Sequence, residues 1–475
     1  MSGASNAGSP GLSGLRSVGA LMVLCGAIFL EGIDVAMLNV AAPAIRAELG
    51  LETTTLSAVV SLYVLGYAGF MLLGGRAADL LGKRRVFMAA LAVFILFSGL
   101  GGFATEGWML LVARFVTGVA SAFMTPAGLA LITANFAQGP ARNQAILIYS
   151  ATGAAGFSLG LVAGGLLAAV DWRLVFFTPV ILAVIIFALT PILIADDGRR
   201  DRNRNRSFDL PGAVLLTSAM LLAAFTVTRL ENPFHAPVLT VGALVTSLLL
   251  AAAFIVVETR RPDPLVRLGI LRSDRLVRAN LGALLFAAAF FAFQFLVSIY
   301  LQELLGWTPL ETSLALLAVA VDAVVAPTVT PWLVTRFGTP RVVVAGLALS
   351  GLSYALFLRL DLGWTYAAMF PSMILIGLSF AFVYGPLTIL ATDGIAEAEQ
   401  GLASALVNTS FQFGAGIGLS AASAISVLAL GADPSPDARL EAIRLALLVP
   451  VAAISLGILV AVGGLHRQTS RGCIH

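Results

Sequence analysis

The sequence predicts an all-α integral membrane protein, and three observations carry that expectation. Of its 475 residues, 59% are hydrophobic and 11% are charged, whereas a soluble chain carries about 25% charged residues. Apolar runs near about 20 residues recur along the whole length, each enough to cross a hydrocarbon core of about 30 Å as a helix. Short loops rich in arginine separate many of them, as cytoplasmic loops of membrane proteins are. The pI near 9.1 comes from these loop arginines and calls for no nucleic-acid partner.

The pattern gives fourteen spans, at 18–42, 56–75, 86–105, 108–134, 143–169, 174–195, 210–229, 236–257, 279–302, 311–334, 341–359, 364–391, 402–430 and 443–465. Arg16 before the first run resembles the start of a signal peptide. The run continues past Asp34 without a cleavage site, so it reads as a retained span. With the N-terminus inside, six cations fall in outside loops: Arg46, Arg173, Arg229, Arg359, Arg439 and Arg444. Arg114 falls within a span, and every other Lys or Arg falls inside. That bias predicts an even span count with both termini cytoplasmic. Lys83 is the one lysine, and such preference for arginine suggests a GC-rich genome and therefore a bacterial cell (inner) membrane.

Span 1 carries Glu31 and Asp34. Ionised carboxylates in hydrocarbon are costly, so they face protein or a water cavity and are functional candidates by default. Three residues apart on a helix, they share a face. Two acids so close in low dielectric make one of them a proton acceptor near physiological pH. Span 4 carries Arg114, which stays protonated and must find a partner; Asp34 or Glu31 is expected to supply it. A guanidinium snorkelling to the surface is the alternative.

Between spans 2 and 3 lies Gly75-x3-Asp79-x2-Gly82-Lys83-Arg84-Arg85. Asp79 is expected to cap or pair with the next helix start, and Lys83 to Arg85 to form ion pairs on the cytoplasmic face. Such a cluster would hold one conformation and break in another. Span 5 carries Gly156, Gly160, Gly164 and Gly165, a spacing that lets helices approach closely. The Arg199–Arg206 run reads as a solvated linker with no site.

Asp322 in span 10 could attract a cation or carry a proton. Gln294, Tyr300 and Tyr384 could add polar contacts to a mostly apolar cavity. The chain also repeats itself: Pro331-x3-Thr335-Arg336-x-Gly338-x2-Arg341 echoes the Gly75 loop, and Gly414-x3-Gly418 echoes Gly156-x3-Gly160 at nearly the same offset. Spans 1–6 therefore correspond to spans 9–14, with spans 7–8 inserted. The expected parts are 1–196, a six-helix bundle; 197–260, a two-helix insertion with a basic linker; and 261–475, a second six-helix bundle.

The Gly75–Arg85 loop resembles the signature between spans 2 and 3 of the major facilitator superfamily. Asp34-x4-Asn39-x3-Pro43 resembles its span-1 pattern, and Arg114-x3-Gly118 its span-4 motif, with Thr117 where glutamine is common. The span-5 glycines resemble the antiporter motif of its exporters, with Leu161 where proline is expected. The 6+2+6 plan is similar to the fourteen-span drug:proton antiporter branch, the QacA-like multidrug exporters. The resemblance implies export of amphipathic or cationic small molecules by alternating access, driven by the proton gradient without a cofactor. It implies a functional monomer whose partners are substrate, protons and the lipid bilayer. Leu161 leaves room for a carrier of one metabolite, by export or uptake.

Enzyme chemistry finds no support in the sequence. There is no phosphate-binding Gly-x4-Gly-Lys-Ser/Thr loop. His235, His466 and His475 lie outside the spans and suggest no metal pair. Cys25 and Cys473 are too differently placed to predict a disulfide.

Overall fold

The computed structural model describes residues 15–51, 53–136, 139–195, 210–229, 237–261, 268–396, 399–430 and 435–472. The Arg199–Arg206 run, the expected 196/197 boundary, His235, Cys473 and His475 lie outside the described residues. Hydrocarbon offers no hydrogen bonds to a backbone, so spanning segments satisfy their own as helices. The described residues accordingly form helices: α1 Leu15–Leu49, α2 Thr53–Leu81, α3 Lys83–Gly102, α4 Gly107–Asn135, α5 Pro140–Ala168, α6 Leu174–Leu193, α7 Leu210–Arg229 and α8 Pro237–Arg260. They continue with α9 Asp274–Ile299, α10 Pro309–Leu316, α11 Asp322–Phe337, α12 Thr339–Phe357, α13 Tyr366–Thr392, α14 Gln400–Leu430, α15 Pro436–Ala446 and α16 Leu448–Gly472. Among them, 13 segments are long and apolar enough to cross a membrane, and α7 contributes a shorter apolar stretch, Pro211–Val227.

Two expected spans are not continuous helices. Span 10 is broken by a 3₁₀ turn at Leu317–Val321, so Asp322 opens α11 instead of lying mid-helix. Span 14 is interrupted at Leu447, between α15 and α16, and α15 begins at Pro436, capped by Ser435. Apolar periodicity reports burial of a segment and is blind to a break that keeps the segment apolar.

The outer helices show where lipid lies. Ile181, Ile185, Leu189 and Ile192 on α6, and Val241, Leu244, Val245, Leu248 and Leu249 on α8, are exposed. Apolar surface of that extent needs a nonaqueous neighbour. α1, α4 and α9 instead bury most of their apolar side chains.

Helix pairings recur along the chain. α1 packs on α5 and α6 as α9 packs on α14 and α16, and α3 packs on α4 and α6 as α12 packs on α13 and α16. Across the middle, α2 meets α14 and α5 meets α11. α7 packs on α8, and it also touches α2 and α14. The loop glycines repeat too: Gly82 (φ 101°) precedes α3 and Gly338 (φ 83°) precedes α12. Both adopt the left-handed conformation that glycine enters without steric cost.

The α1–α5 contact explains the span-5 glycines. A Cβ at Gly156 would lie 3.0 Å from the Phe29 Cα, one at Gly160 2.9 Å from the Ile33 Cα, and one at Gly164 2.6 Å from the Met37 Cα. Gly165 is roomier, with its nearest neighbours at 3.6 Å. Backbone cannot swing aside as a side chain does. Gly160→Ala is therefore expected to destabilise the protein by about 1–3 kcal/mol as an overpacked contact, and Gly165→Ala by much less. Melting of the two purified variants checks the contrast, and equal midpoints would contradict it.

Candidate functional site

The charges foreseen on spans 1 and 4 meet. Arg114 donates through Nη1 to Asp34 Oδ2 at 2.6 Å, and both side chains are only 2% exposed. That burial rules out snorkelling. The Arg114 guanidinium also lies 4.2 Å above the centre of the Tyr63 ring, a cation–π contact. Tyr63 donates to Ser121 at 3.0 Å. A buried arginine is thus held by α1 and by α2 while its own helix, α4, supplies the neighbouring hydroxyl.

Glu31 goes elsewhere. The Thr125 hydroxyl donates to its carboxylate, and Tyr67 stands beside the same group. Tyr149 of α5 donates to the Thr125 carbonyl at 3.3 Å. Glu31 is partly exposed, whereas Asp34 is sealed. The two acids share a helix face and play different structural parts.

The neighbouring wall belongs to the second half of the chain. Tyr384 lies within electrostatic reach of Glu31 and Tyr149, and Gly385 packs on Leu147 and Ser150 of α5. The Tyr384 hydroxyl donates to Asn408 Oδ1 at 2.9 Å. Its ring stands 4.8 Å from Phe411 and 5.4 Å from Phe380. Phe380 continues to Phe290 at 5.0 Å, and Phe411 to Phe291 at 5.9 Å. Phe291, Phe380, Tyr384 and Phe411 keep partial exposure.

The other candidates are more scattered. Gln294 is partly exposed on α9, and Ser298 donates to its carbonyl at 2.9 Å. Tyr300 is fully buried in a π-helical turn after α9 and donates to the Asp361 carbonyl at 2.6 Å, which engages its hydroxyl in a loop contact. Asp322 is 2% exposed, with Oδ2 buried and without a hydrogen-bond partner.

The Gly75 loop corrects one expectation. Asp79 does not cap α3, whose N-cap Gly82 has no side-chain hydrogen bond. Its carboxylate lies against the backbone of Gly401 and Leu402, at the first turn of α14. That end of a helix carries partial positive charge. Gly75 makes the approach possible: a Cβ there would lie 2.8 Å from the Gly401 carbonyl. Lys83 and Arg76 flank Asp79, Arg84 reaches the Pro191 carbonyl at 3.4 Å, and Arg85 is exposed. Lys83, at the start of α3, is a near neighbour as expected, and the first turn of α14 is a second partner more than 300 residues away.

At the opposite end, Trp172 Nε1 donates to Glu48 Oε2 at 2.8 Å and Arg173 donates to Glu48 Oε1. Arg173, then Trp172, holds the Glu48 carboxyl below the usual carboxylate range. A lowered folded pKa contributes stability above the unfolded value of about 4.3, and this contribution is lost as pH falls through the folded pKa. Fluorescence of Trp172 is expected to shift at a pH below 4.3 and to lose that transition in Glu48→Gln.

Tyr63, Tyr67, Ser121, Thr125 and Tyr149 were missing from the sequence candidates. The spacing of Tyr63 and Tyr67, one turn apart on span 2, was the available signal. Among the described residues, no group of three His, Cys, Asp or Glu side chains is placed to hold a metal ion.

Apolar helices in two repeating sets, packed around a buried ion pair, define a polytopic membrane protein. The pattern of the Major Facilitator Superfamily matches residues 24–419, and the chain belongs to that family. It is 33% identical to the cephamycin export protein CmcT of Amycolatopsis lactamdurans, over 96% of this chain and 94% of that protein. It is 32% identical to the puromycin resistance protein pur8 of Streptomyces alboniger, over 87% of this chain and 82% of that one. The crystal structure of the human organic anion transporter MFSD10 superposes with a TM-score of 0.69 at 13% identity, covering 94% of this chain and 100% of that one. That likeness concerns the fold.

Proposed function

We propose that the protein is a proton-coupled exporter of amphipathic or cationic small molecules, antibiotics among them. The buried Asp34–Arg114 pair beside the partly exposed Glu31 carries this reading. The export and resistance named for the cephamycin and puromycin relatives support its direction. The architecture we assign is fourteen spans as 6+2+6, with bundles at 1–196 and 261–475 and the α7–α8 insertion between them. Both termini face the cytoplasm, the chain works as a monomer in a bacterial cell membrane, and the proton gradient supplies the energy.

In this scheme the bundles rock about a midplane cavity. Glu31 is the acid that water reaches first, and Asp34 is the acid that Arg114 holds. A proton arriving from outside neutralises one carboxylate and loosens the pair. Substrate entering from the cytoplasm or inner leaflet competes for the same negative charge. Phe291, Phe380, Tyr384 and Phe411 offer ring faces to its apolar or cationic body. Gln294 and Asp322 are further contacts, and Tyr300 supports the wall from its end of α9. Asp79 with Lys83 to Arg85 latches the cytoplasmic end, and Gly156, Gly160 and Gly164 let α1 ride closely on α5.

The second reading is a carrier of one metabolite, by export or uptake, favoured by Leu161 in place of the exporters' proline. Inverted vesicles loaded with a pH dye and given a panel of substrates separate the two. Proton release evoked by several unrelated compounds is expected. Release by one compound alone would favour the second reading, and binding without proton movement in either orientation would sink both.

A further inference from the structure

We propose that a cleft at the cytoplasmic end of the second bundle binds an anionic phospholipid, with a short segment of one acyl chain inside and the phosphate on Arg275 and Arg278. The cleft opens between α9, α12, α13 and α16. Its walls are apolar, formed by residues such as Val343, Leu347, Leu387 and Val460, with Gly282 and Gly457 widening it. The two guanidinium groups are its only charged lining. An apolar slot under a pair of cations is complementary to an anionic lipid, and basic pockets between membrane helices take such headgroups. Free phosphate would leave the slot unfilled.

The charges around the cleft leave room for such a ligand. Arg278 Nη2 pairs with Asp274 at 2.8 Å, and Arg275 Nη1 with Asp393 at 2.9 Å. Arg278 Nη1 is buried without a hydrogen-bond partner, set against Gly464. Arg272 and Arg341 are exposed at the same end, so among the described residues these four arginines stand against three carboxylates, Asp274, Asp393 and Glu399. A small turn of Arg278 would present Nη1 to a phosphate oxygen, and one phosphate can bridge both guanidinium groups where each carboxylate engages one. None of these residues belongs to the proposed transport route, so the lipid site stands or falls apart from it.

Native mass spectrometry of the full chain in detergent, titrated with dioleoylphosphatidylglycerol, tests the proposal. Tighter retention of that lipid than of dioleoylphosphatidylcholine is expected. Arg275→Gln with Arg278→Gln is expected to weaken it about thirty-fold, from two lost cations. Gly457→Leu fills the slot and keeps both arginines; a Cβ there meets nothing closer than 3.7 Å, so the fold tolerates the first atom. It too is expected to lose phosphatidylglycerol. Asp274→Asn frees Arg278 and is expected to tighten binding, a gain that misfolding cannot mimic. Equal retention of the two lipids, or unchanged binding in both Gly457→Leu and the double variant, overturns the proposal. Displacement of phosphatidylglycerol by millimolar inorganic phosphate would also overturn it, by assigning the arginines to a free anion.

Discussion

Asp34→Asn is expected to abolish substrate-evoked proton movement and to lower stability at the same time. The substitution leaves Arg114 charged, 2% exposed and without its carboxylate. Breaking a buried pair from one side costs about 3–5 kcal/mol, because the remaining charge has lost its solvation in both senses. Loss of transport alone would then be ambiguous between unfolding and uncoupling. Asp34→Asn combined with Arg114→Gln resolves this. With both charges gone the core stays neutral, and the melting midpoint is expected to recover most of what the single variant lost. Proton release from inverted vesicles is not expected to recover. A double variant that regains coupled transport would remove Asp34 and Arg114 from the mechanism and leave them a structural pair. Arg114→Lys adds a finer test: it keeps the charge and loses the planar fork and the broad contact with Tyr63. Reduced transport with a nearly normal melting midpoint is the expected result.

The second large effect is expected at the seam between α2 and α14. Gly75→Leu drives a branched side chain into a space where even a Cβ would lie 2.6 Å from the Ala405 Cβ. The seam cannot close around it, so the protein is expected to populate states open at this end and to lose export at least ten-fold. Asp79→Asn acts on the same seam more gently. It removes a charge–dipole attraction of about 0.3–1 kcal/mol, up to about 2 kcal/mol where partly buried, so the closed-to-open ratio falls by about two- to thirty-fold. Spin labels at Leu81 and Ala396, both exposed at this end, report the change as a longer distance. The expected order is Gly75→Leu above Asp79→Asn above wild type. A transport defect with an unchanged distance distribution would detach this loop from the conformational cycle.

Much of this was legible in the sequence because hydrocarbon imposes one rule everywhere. The all-helical membrane fold and the rough placement of its helices followed from apolar length, and the buried arginine with its acid followed from the cost of lone charges. Distances across the fold were illegible. The Gly75 loop announces a short polar connection, yet nothing local to Asp79 points to Gly401. Tyr300 and Tyr384 look alike as sequence, and one bonds a loop carbonyl while the other meets Asn408 beside an aromatic wall. The wall itself was hidden because phenylalanine in a membrane helix carries no signal of which way it faces. The break at Leu317–Val321 was hidden for the same reason, since its residues are as apolar as those around it.

The α7–α8 hairpin makes the two flanks of the protein unequal. α7 packs on both α2 and α14, and among the described residues neither α7 nor α8 packs comparably on α5 or α11. In the proposed export scheme, a solute drifting in from the bilayer meets α7 at the α2–α14 line and only the bundle's own helices, α10 among them, at the α5–α11 line. The proposed export scheme therefore predicts a preferred side for entry from lipid, set by two helices that take no part in the ion pair.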